Sequence, residues 1–326
     1  MSRMAILVTG GAGYIGSHCC KALYESGYLP VCLDDLSTGH EEFVKWGPFI
    51  NASVADSNSV ANAISKFEIS AVIHLAASSL VGESVADPQK YYMNNVAGTL
   101  ALLRTMIEQD CKTMVFSSTG AVYGDAGGGA IREDAAGKPV SPYGVSKWMV
   151  ERILQDYGHA YGLKAICLRY FNASGADASG LIGEWRDQET HLIPRAMMAL
   201  QGQIAELQIF GVDYDTLDGT AVRDYIHVTD LAAAHIAALR KLSTGFPGGS
   251  FNLGTGNGFS VRQVLSSIGN VTGRTVPTTI RARRDGDPTF IVADPSAARD
   301  VLQFRPAYSD LDTIIRSAWN WHQARA

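Results

Sequence analysis

The chain is short of charge. Lys, Arg, Asp and Glu make up 18% of its 326 residues, below the ~25% of an average globular protein. Its 27 basic residues are outnumbered by 32 acidic ones, for a net charge of −5. No general basic field exists to hold nucleic acid or an anionic membrane surface, so any anionic ligand must be held by local groups. No apolar run approaches the ~20 residues that span a bilayer. The opening MSRMAILVTGG runs straight into glycines and leaves no room for a secretory signal with a cleavage site. The five cysteines (Cys19, Cys20, Cys32, Cys111, Cys167) are odd in number, form no CxxC pair and lie in apolar patterns. They read as buried free thiols of a reducing, cytoplasmic setting. No His/Cys/Asp group has metal-ligand spacing, so no metal is expected. There is no GxSxG elbow, no internal repeat, no Pro/Ser linker and no charged tail. The one low-complexity stretch, Ala126–Ala130 (AGGGA), reads as a flexible loop.

What the chain does have is glycine, 33 residues, and a regular alternation of apolar runs with helical patterns. Strands are expected at Ala5–Thr9, Pro30–Asp34, Ala71–Leu75, Thr113–Ser117 and Ala165–Tyr170. Helices are expected at Tyr14–Ser26, Ser57–Phe67, Pro88–Gln109 (as one long helix) and Tyr143–Tyr161. Continuous apolar strands alternating with helices mean a parallel sheet covered on both faces. With right-handed crossovers this is an α/β fold, a doubly wound parallel sheet of Rossmann type, with a smaller C-terminal substrate-binding domain. We place the domains at 1–172 and 173–326, with parts of the second expected to return to the first. Beyond Tyr170 the stretch Asn172–Glu189 reads as a long functional loop. Helices follow from His191, from Thr229 (read as an N-cap), from Ser260 and from Asp310.

Three patterns carry chemistry. Thr9–Gly16 (TGGAGYIG) follows a strand and opens a helix. Gly10 permits a tight turn, Gly13 lets backbone approach a pyrophosphate and Gly16 allows close helix–sheet packing, while the helix N-terminus offers N–H groups to the phosphates. Asp34 ends the second strand, where a carboxylate accepts the adenosine ribose hydroxyls and repels a 2′-phosphate. No Arg lies between Asp34 and Glu42, so the pattern favours NAD over NADP. Tyr143 and Lys147 stand at i and i+4 and share a helix face. An ammonium near a phenol favours phenolate and is expected to draw the Tyr143 pKa down from ~10, so that it serves as a general base. Ser117-Ser118-Thr119 ends a strand that can bring a hydroxyl to the same substrate oxygen. Arg223 and Arg284 offer planar donors for a diphosphate, with a surface or interdomain ion pair as the alternative. His74 reads as a packed core histidine, and Trp185 and Arg186 in the long loop read equally as substrate contacts or as exposed loop residues.

Taken together, these residues resemble the extended short-chain dehydrogenase/reductases, and among them the UDP-glucose 4-epimerases. Beside the glycine segment, the resemblance rests on VGESV (Val81–Val85), YYMNNVAGT (Tyr91–Thr99), FSST (Phe116–Thr119), SPYGVSK (Ser141–Lys147), LRYFNASGA (Leu168–Ala176), DGTAVRDYIHV (Asp218–Val228), FNLGTG (Phe251–Gly256) and RRDGD (Arg283–Asp287). It implies interconversion of UDP-glucose and UDP-galactose, by transient C4 oxidation with bound NAD through a 4-keto sugar, in a homodimer. It implies catalytic roles for Thr119, Tyr143 and Lys147. The implied cofactor residues are Gly10, Gly13, Tyr14, Ile15, Gly16, Asp34, Leu75, Ala76, Ala77, Asn94, Ser117, Tyr143, Lys147, Tyr170 and Phe171. UDP-sugar contacts fall to Thr119, Tyr143, Asn172, His191, Leu192, Phe210, Arg223, Arg284 and Asp287. Four positions depart from a common form of the pattern: Ser53, Ser79, His191 and Ile291. The first two are expected to loosen cofactor retention. Epimerases of other UDP-sugars (N-acetylhexosamine, pentose) remain as alternatives. A dehydratase or decarboxylase is disfavoured because Thr119-Gly120-Ala121 carries no carboxylate for elimination. A non-catalytic NAD sensor is disfavoured because both Tyr143 and Lys147 are kept.

Overall fold

The computed structural model describes residues 3–124, 129–284 and 287–325. The AGGGA stretch lies outside the described residues for Ala126 to Gly128, as do Asp125, Asp285 and Gly286.

Seven strands form the central sheet: β1 (Ala5–Thr9), β2 (Leu29–Asp34), β3 (Phe49–Asn51), β4 (Ile69–His74), β5 (Thr113–Thr119), β6 (Lys164–Tyr170) and β7 (Gly248–Leu253). Their order is β7-β6-β5-β4-β1-β2-β3, and every pairing is parallel. Side chains alternate across a strand, and both faces of this sheet are covered, which is why the strands are apolar throughout. In β1, Ile6 and Val8 belong to one core cluster while Ala5 and Leu7 belong to the other. The first face is covered by α1 (Tyr14–Glu25) and α6 (Val228–Ser243), the second by α2 (Ser57–Phe67), α3 (Gly98–Glu108) and α4 (Pro142–Tyr161). The order reverses between β1 and β4, the point at which a doubly wound sheet forms a crevice beyond the carboxyl ends of its strands.

A smaller lobe gathers α5 (Leu192–Leu200), α7 (Val261–Thr272) and α8 (Leu311–Gln323) around Met197, Tyr225, Ile268 and Trp319. Short strands edge it: Val222–Arg223 pairs with Phe290–Ala293, and Leu207–Phe210 with Thr278–Arg281. The chain does not stay in this lobe. β7 returns to the central sheet, with Leu253 opposite Tyr170, and α6 packs back on the sheet beside α1. No helix among the described residues is long and apolar enough to cross a membrane. All five cysteines are free and buried.

Three expectations are corrected. The single helix over Pro88–Gln109 is broken into Pro88–Tyr91, a π-helical turn at Tyr92–Ala97, and α3. The wide turn is held by Asn95, which accepts from Ser78 N at 2.8 Å and donates to Ser78 O and Ser146 Oγ, both at 3.0 Å. Asn172–Ser174, expected as the start of a loop, is a strand paired with Tyr225–His227. Thr229 is not the cap of α6. His227 is, its Nδ1 accepting from Thr229 N at 3.1 Å. The helix expected from Ser260 is present as α7, with Ser260 as its N-cap in a capping box with Gln263.

Candidate active site

The glycine turn is built for contact. Gly10 has φ +72°, and a Cβ there would lie 2.7 Å from Ala76 N. A Cβ on Gly16 would lie 1.9 Å from Gly10 O, so only glycine lets α1 start against the turn. Gly13 is the N-cap and no side chain caps the helix, which leaves the first N–H groups of α1, at Tyr14 and Ile15, for a ligand. Their side chains serve the fold: Tyr14 Oη donates to Gly175 O at 2.6 Å, and Ile15 packs on the core. Asp34, buried at the end of β2, accepts from Ala12 N at 3.0 Å and Leu36 N at 2.9 Å. Burial holds its carboxyl above the ordinary value against these two bonds. Across the crevice, Leu75 N donates to Thr9 O at 3.0 Å, and Leu75, Ala76 and Ala77 are all half-buried. Asn94, in the π-turn, donates to Ser78 Oγ at 3.1 Å. His74 is a core residue between Thr9 (2.7 Å) and Thr99 (2.8 Å), its pKa pushed down to about 3 by burial.

The Tyr–Lys pair hangs from the first turns of α4, which Ser141 caps by accepting from Gly144 N at 3.2 Å, with Pro142 following. Lys147 is buried; its Nζ donates to Ser117 O at 2.9 Å and lies 4.8 Å from the Phe116 ring centre. Burial pulls its pKa down to about 7, opposed by Glu151. Tyr143 meets Tyr91 edge-on, 6.3 Å between centroids. Its phenol pKa is raised by burial, and the groups that pull it back are the Thr119 hydroxyl and the Arg186 guanidinium. The expectation that Lys147 draws it down is therefore not met: the buried, partly discharged ammonium is turned to the Ser117 carbonyl. Thr119 also accepts from Ala121 N at 3.1 Å. Ser117 Oγ bonds the Tyr170 hydroxyl. Phe171 stacks on Tyr123 and lies over Gly120, where a Cβ would come within 2.6 Å of its ring.

The other expected residues fall into two groups. Arg223 pairs with Asp287, and the guanidinium of Arg284 sits 3.8 Å over the Phe210 ring. Asn172 joins this region by donating to Asp224 O at 2.9 Å. His191, the N-cap of α5, has Nδ1 at 2.6 Å from Glu184 Oε1, and Leu192 begins the helix with its side chain against the lobe core. The Glu184 carboxylate raises the His191 pKa and is itself held low by His191 and Arg186. Glu184, Glu189 and His191 bring three possible ligand atoms within 4.8 Å of one another, but the Arg186 guanidinium shares that space, which disfavours a cation there.

Sequence reasoning missed several working parts. Glu151 takes Arg169 at 2.9 and 2.5 Å and the Ser118 hydroxyl, locking α4 to β5 and β6. Asp224 accepts from Thr255 N (2.9 Å), Gly256 N (3.2 Å) and Ala293 N (3.2 Å), which explains why two matched segments carry the residues they do. Asn95 and Gly120 act as described above. The available signal for each was a polar residue or glycine inside an apolar element.

A model of the NAD dependent epimerase/dehydratase family matches residues 6–254. The chain belongs to this family. Within it, the chain is 47% identical over 325 residues to the UDP-glucose 4-epimerase of Rhizobium meliloti, covering 100% of this chain and 99% of that one. It is similar to the crystal structure of UDP-glucose 4-epimerase from Brucella ovis in complex with NAD (TM-score 0.96, 51% identity, 97% and 98% coverage). It is also similar to a UDP-glucose-4-epimerase from Stenotrophomonas maltophila with bound NAD and formylated UDP-arabinopyranose (TM-score 0.96, 39% identity, 99% and 99% coverage). The family's NAD dependence agrees with the crevice at the sheet reversal, bounded by the glycine turn, Asp34 and the Tyr–Lys helix.

Proposed function

We propose that the chain interconverts UDP-glucose and UDP-galactose at C4, with NAD held as a resident cofactor. The observation that carries this reading is the convergence of Tyr143, Thr119 and Lys147 on the carboxyl end of β5, beside the glycine turn. The crevice fits a dinucleotide: the α1 N-terminus is uncapped, the Gly10–Gly16 approach excludes any side chain, and Asp34 waits at the ribose position. Gly10, Gly13, Gly16 and the N–H groups of Tyr14 and Ile15 hold the pyrophosphate. Asp34 holds the adenosine ribose, and Leu75, Ala76, Ala77, Asn94, Ser117, Tyr170 and Phe171 line the rest. NAD, when bound, supplies a reversible hydride acceptor for C4. Tyr143 takes the proton of the 4-hydroxyl and later returns it. Thr119 holds O4 at the phenol, and Lys147 holds the nicotinamide ribose with the N–H groups that Ser117 O leaves free. Asn172, His191, Leu192, Phe210, Arg223, Arg284 and Asp287 grip the UDP, a tether remote from the reacting carbon, while the 4-keto sugar turns to present its other face.

The domain division at 172 is kept in the form of a nucleotide lobe completed by β7 and α6, and a UDP-sugar lobe formed by the remainder. The protein works as a homodimer. Exposed apolar side chains cluster on two helical stretches: Tyr92, Met93 and Leu100 between Pro88 and Glu108, and Trp148, Met149 and Tyr161 on α4. The five buried free thiols accord with a reducing compartment, the cytoplasm. The test of the reaction is direct: incubate the protein with UDP-galactose and assay UDP-glucose. Absence of product with NAD-loaded protein would reject the reading.

A further inference from the structure

The segment between Ser174 and α5 belongs to the smaller lobe, yet it is tied to the glycine turn. Trp185 stacks on His40 with ring centres 3.7 Å apart, and His40 Nε2 lies 3.2 Å from Trp185 O. His40 in turn donates its backbone N–H to Ala12 O, inside the turn, at 2.9 Å. Arg325 covers the far face of Trp185 at 3.7 Å. Upstream, Gly175 O accepts from Tyr14 Oη, on the first residue of α1. Arg186, the residue after Trp185, is held beside the glycine turn by these contacts.

Arg186 reaches across the gap. Its Nη1 donates to Ser79 Oγ at 3.3 Å, on the loop that follows β4, and its Nε to Glu184 Oε1 at 3.2 Å. A guanidinium has five donors, and Nη2 makes no hydrogen bond among the described residues. The charge is felt by the phenols of Tyr14, Tyr143 and Tyr170, which border the crevice from α1, α4 and β6. Glu184 cannot neutralise it alone, because the same carboxylate oxygen also takes His191. The crevice therefore has helix N–H groups on one wall and a half-compensated guanidinium spanning from the small lobe to the other.

We propose that Arg186 binds the diphosphate of the dinucleotide, closing the crevice opposite the N-terminus of α1. Planar N–H pairs match phosphate oxygens, and the free Nη2 is the donor available for one. The inference rests on the proposed NAD site, and its test does not need turnover.

The experiment is titration of NAD into the purified protein, its Arg186→Gln variant and its Arg186→Lys variant across a series of salt concentrations. Loss of one charged hydrogen bond weakens NAD by roughly 10- to 100-fold in Arg186→Gln. The dependence of log Kd on log salt also becomes shallower, because one charge–charge contact is gone. Arg186→Lys keeps the salt dependence, because the charge stays, and loses part of the affinity, because the planar donors go. A loop that was merely loosened would lower affinity in both variants and leave the salt dependence unchanged. UDP affinity of the NAD-loaded protein is the control. An NAD constant within twofold of wild type in Arg186→Gln, an unchanged salt slope, or a loss confined to UDP would overturn the proposal. If wild-type protein binds NAD but does not turn over UDP-galactose, the epimerase reading falls while this test stands.

Discussion

Tyr143 sits in an environment that works against its proposed task. Burial raises the phenol pKa, while Thr119 and Arg186 lower it; Tyr91 and Tyr170 face it as neutral phenols, and Lys147 is turned to a carbonyl. A base must be ionised, so turnover falls on the acid side of its pKa. Removing the Thr119 hydroxyl removes a polar neighbour that favours phenolate. Thr119→Val is therefore expected to move the acid limb of the kcat profile to higher pH. Tyr143→Phe lowers kcat by roughly 10²–10⁴-fold with UDP affinity kept; more than half the wild-type rate would mean the base is elsewhere. Lys147 bears a related cost. Its pKa is near 7 when folded and ~10.4 in an unfolded chain. Below pH 7 the native state carries a desolvated charge and pays the full penalty; as pH rises from 7 to 10 the native state has already shed the proton, and the penalty fades. Lys147→Met should stabilise NAD-free protein by on the order of a few kcal/mol, most below pH 7 and least near pH 10, while abolishing turnover. Thermal melting of NAD-free samples at both pH values checks the sign.

The twenty-residue helix α4 does several jobs at once. Tyr143 and Lys147 face the crevice, Ser146 fixes the π-turn through Asn95, Glu151 locks onto Arg169, and Trp148 and Met149 stay exposed. The Arg169–Glu151 pair has side chains only 11% and 3% exposed. Breaking one side of such a pair strands a buried charge, at about 3–5 kcal/mol. Glu151→Gln is expected to lose that much stability in urea unfolding, and a loss below 1 kcal/mol would show the pair to be dispensable. These linkages mark the limit of what the sequence made legible. Strands β1, β2, β4, β5 and β6 announced themselves because two-sided burial leaves an unbroken apolar run. The glycine turn, Asp34 and the Tyr–Lys pair were visible because their chemistry needs particular residues at short range. The π-turn was hidden because Tyr92–Ala97 has the same local preferences in α or π form, and only the distant Ser78 and Ser146 decide between them. Strand β3 and Asn172–Ser174 are three residues each, too short for a period to show. The role of Arg186 depends on partners 107 residues away in Ser79 and two in Glu184, and no local pattern ties those together.

At the scale of the molecule, the proposed chemistry is a closed cycle. Substrate deuterated at C4 should give product that keeps its deuterium at C4, and reaction in heavy water should place none on any ring carbon, since Tyr143 exchanges only a hydroxyl proton. NADH absorbance should not grow with turnover. Mass spectrometry of the product decides the matter, and loss of the label would defeat the mechanism even with the fold intact. The assembly carries its own prediction. Trp148 is 46% exposed and Met93 61% exposed, on neighbouring helical segments. A charge placed there should not disturb the core, so Trp148→Glu is expected to shift the sedimenting species from dimer to monomer. A wild-type monomer at all concentrations would remove the basis for it.

The return of β7 to the central sheet also governs how the protein can be made. During synthesis the edge of β6 is complete at Tyr170, but the strand that covers it ends only at Leu253. At 5–20 residues per second the ribosome takes roughly 4–17 s to deliver that stretch. Throughout this interval an apolar sheet edge has no neighbour, the condition that invites pairing with another nascent chain. The nucleotide lobe is thus obliged to wait for the sugar lobe. Translation speed between residues 171 and 253 becomes a determinant of yield, and the burden falls on chaperones that shield exposed strands.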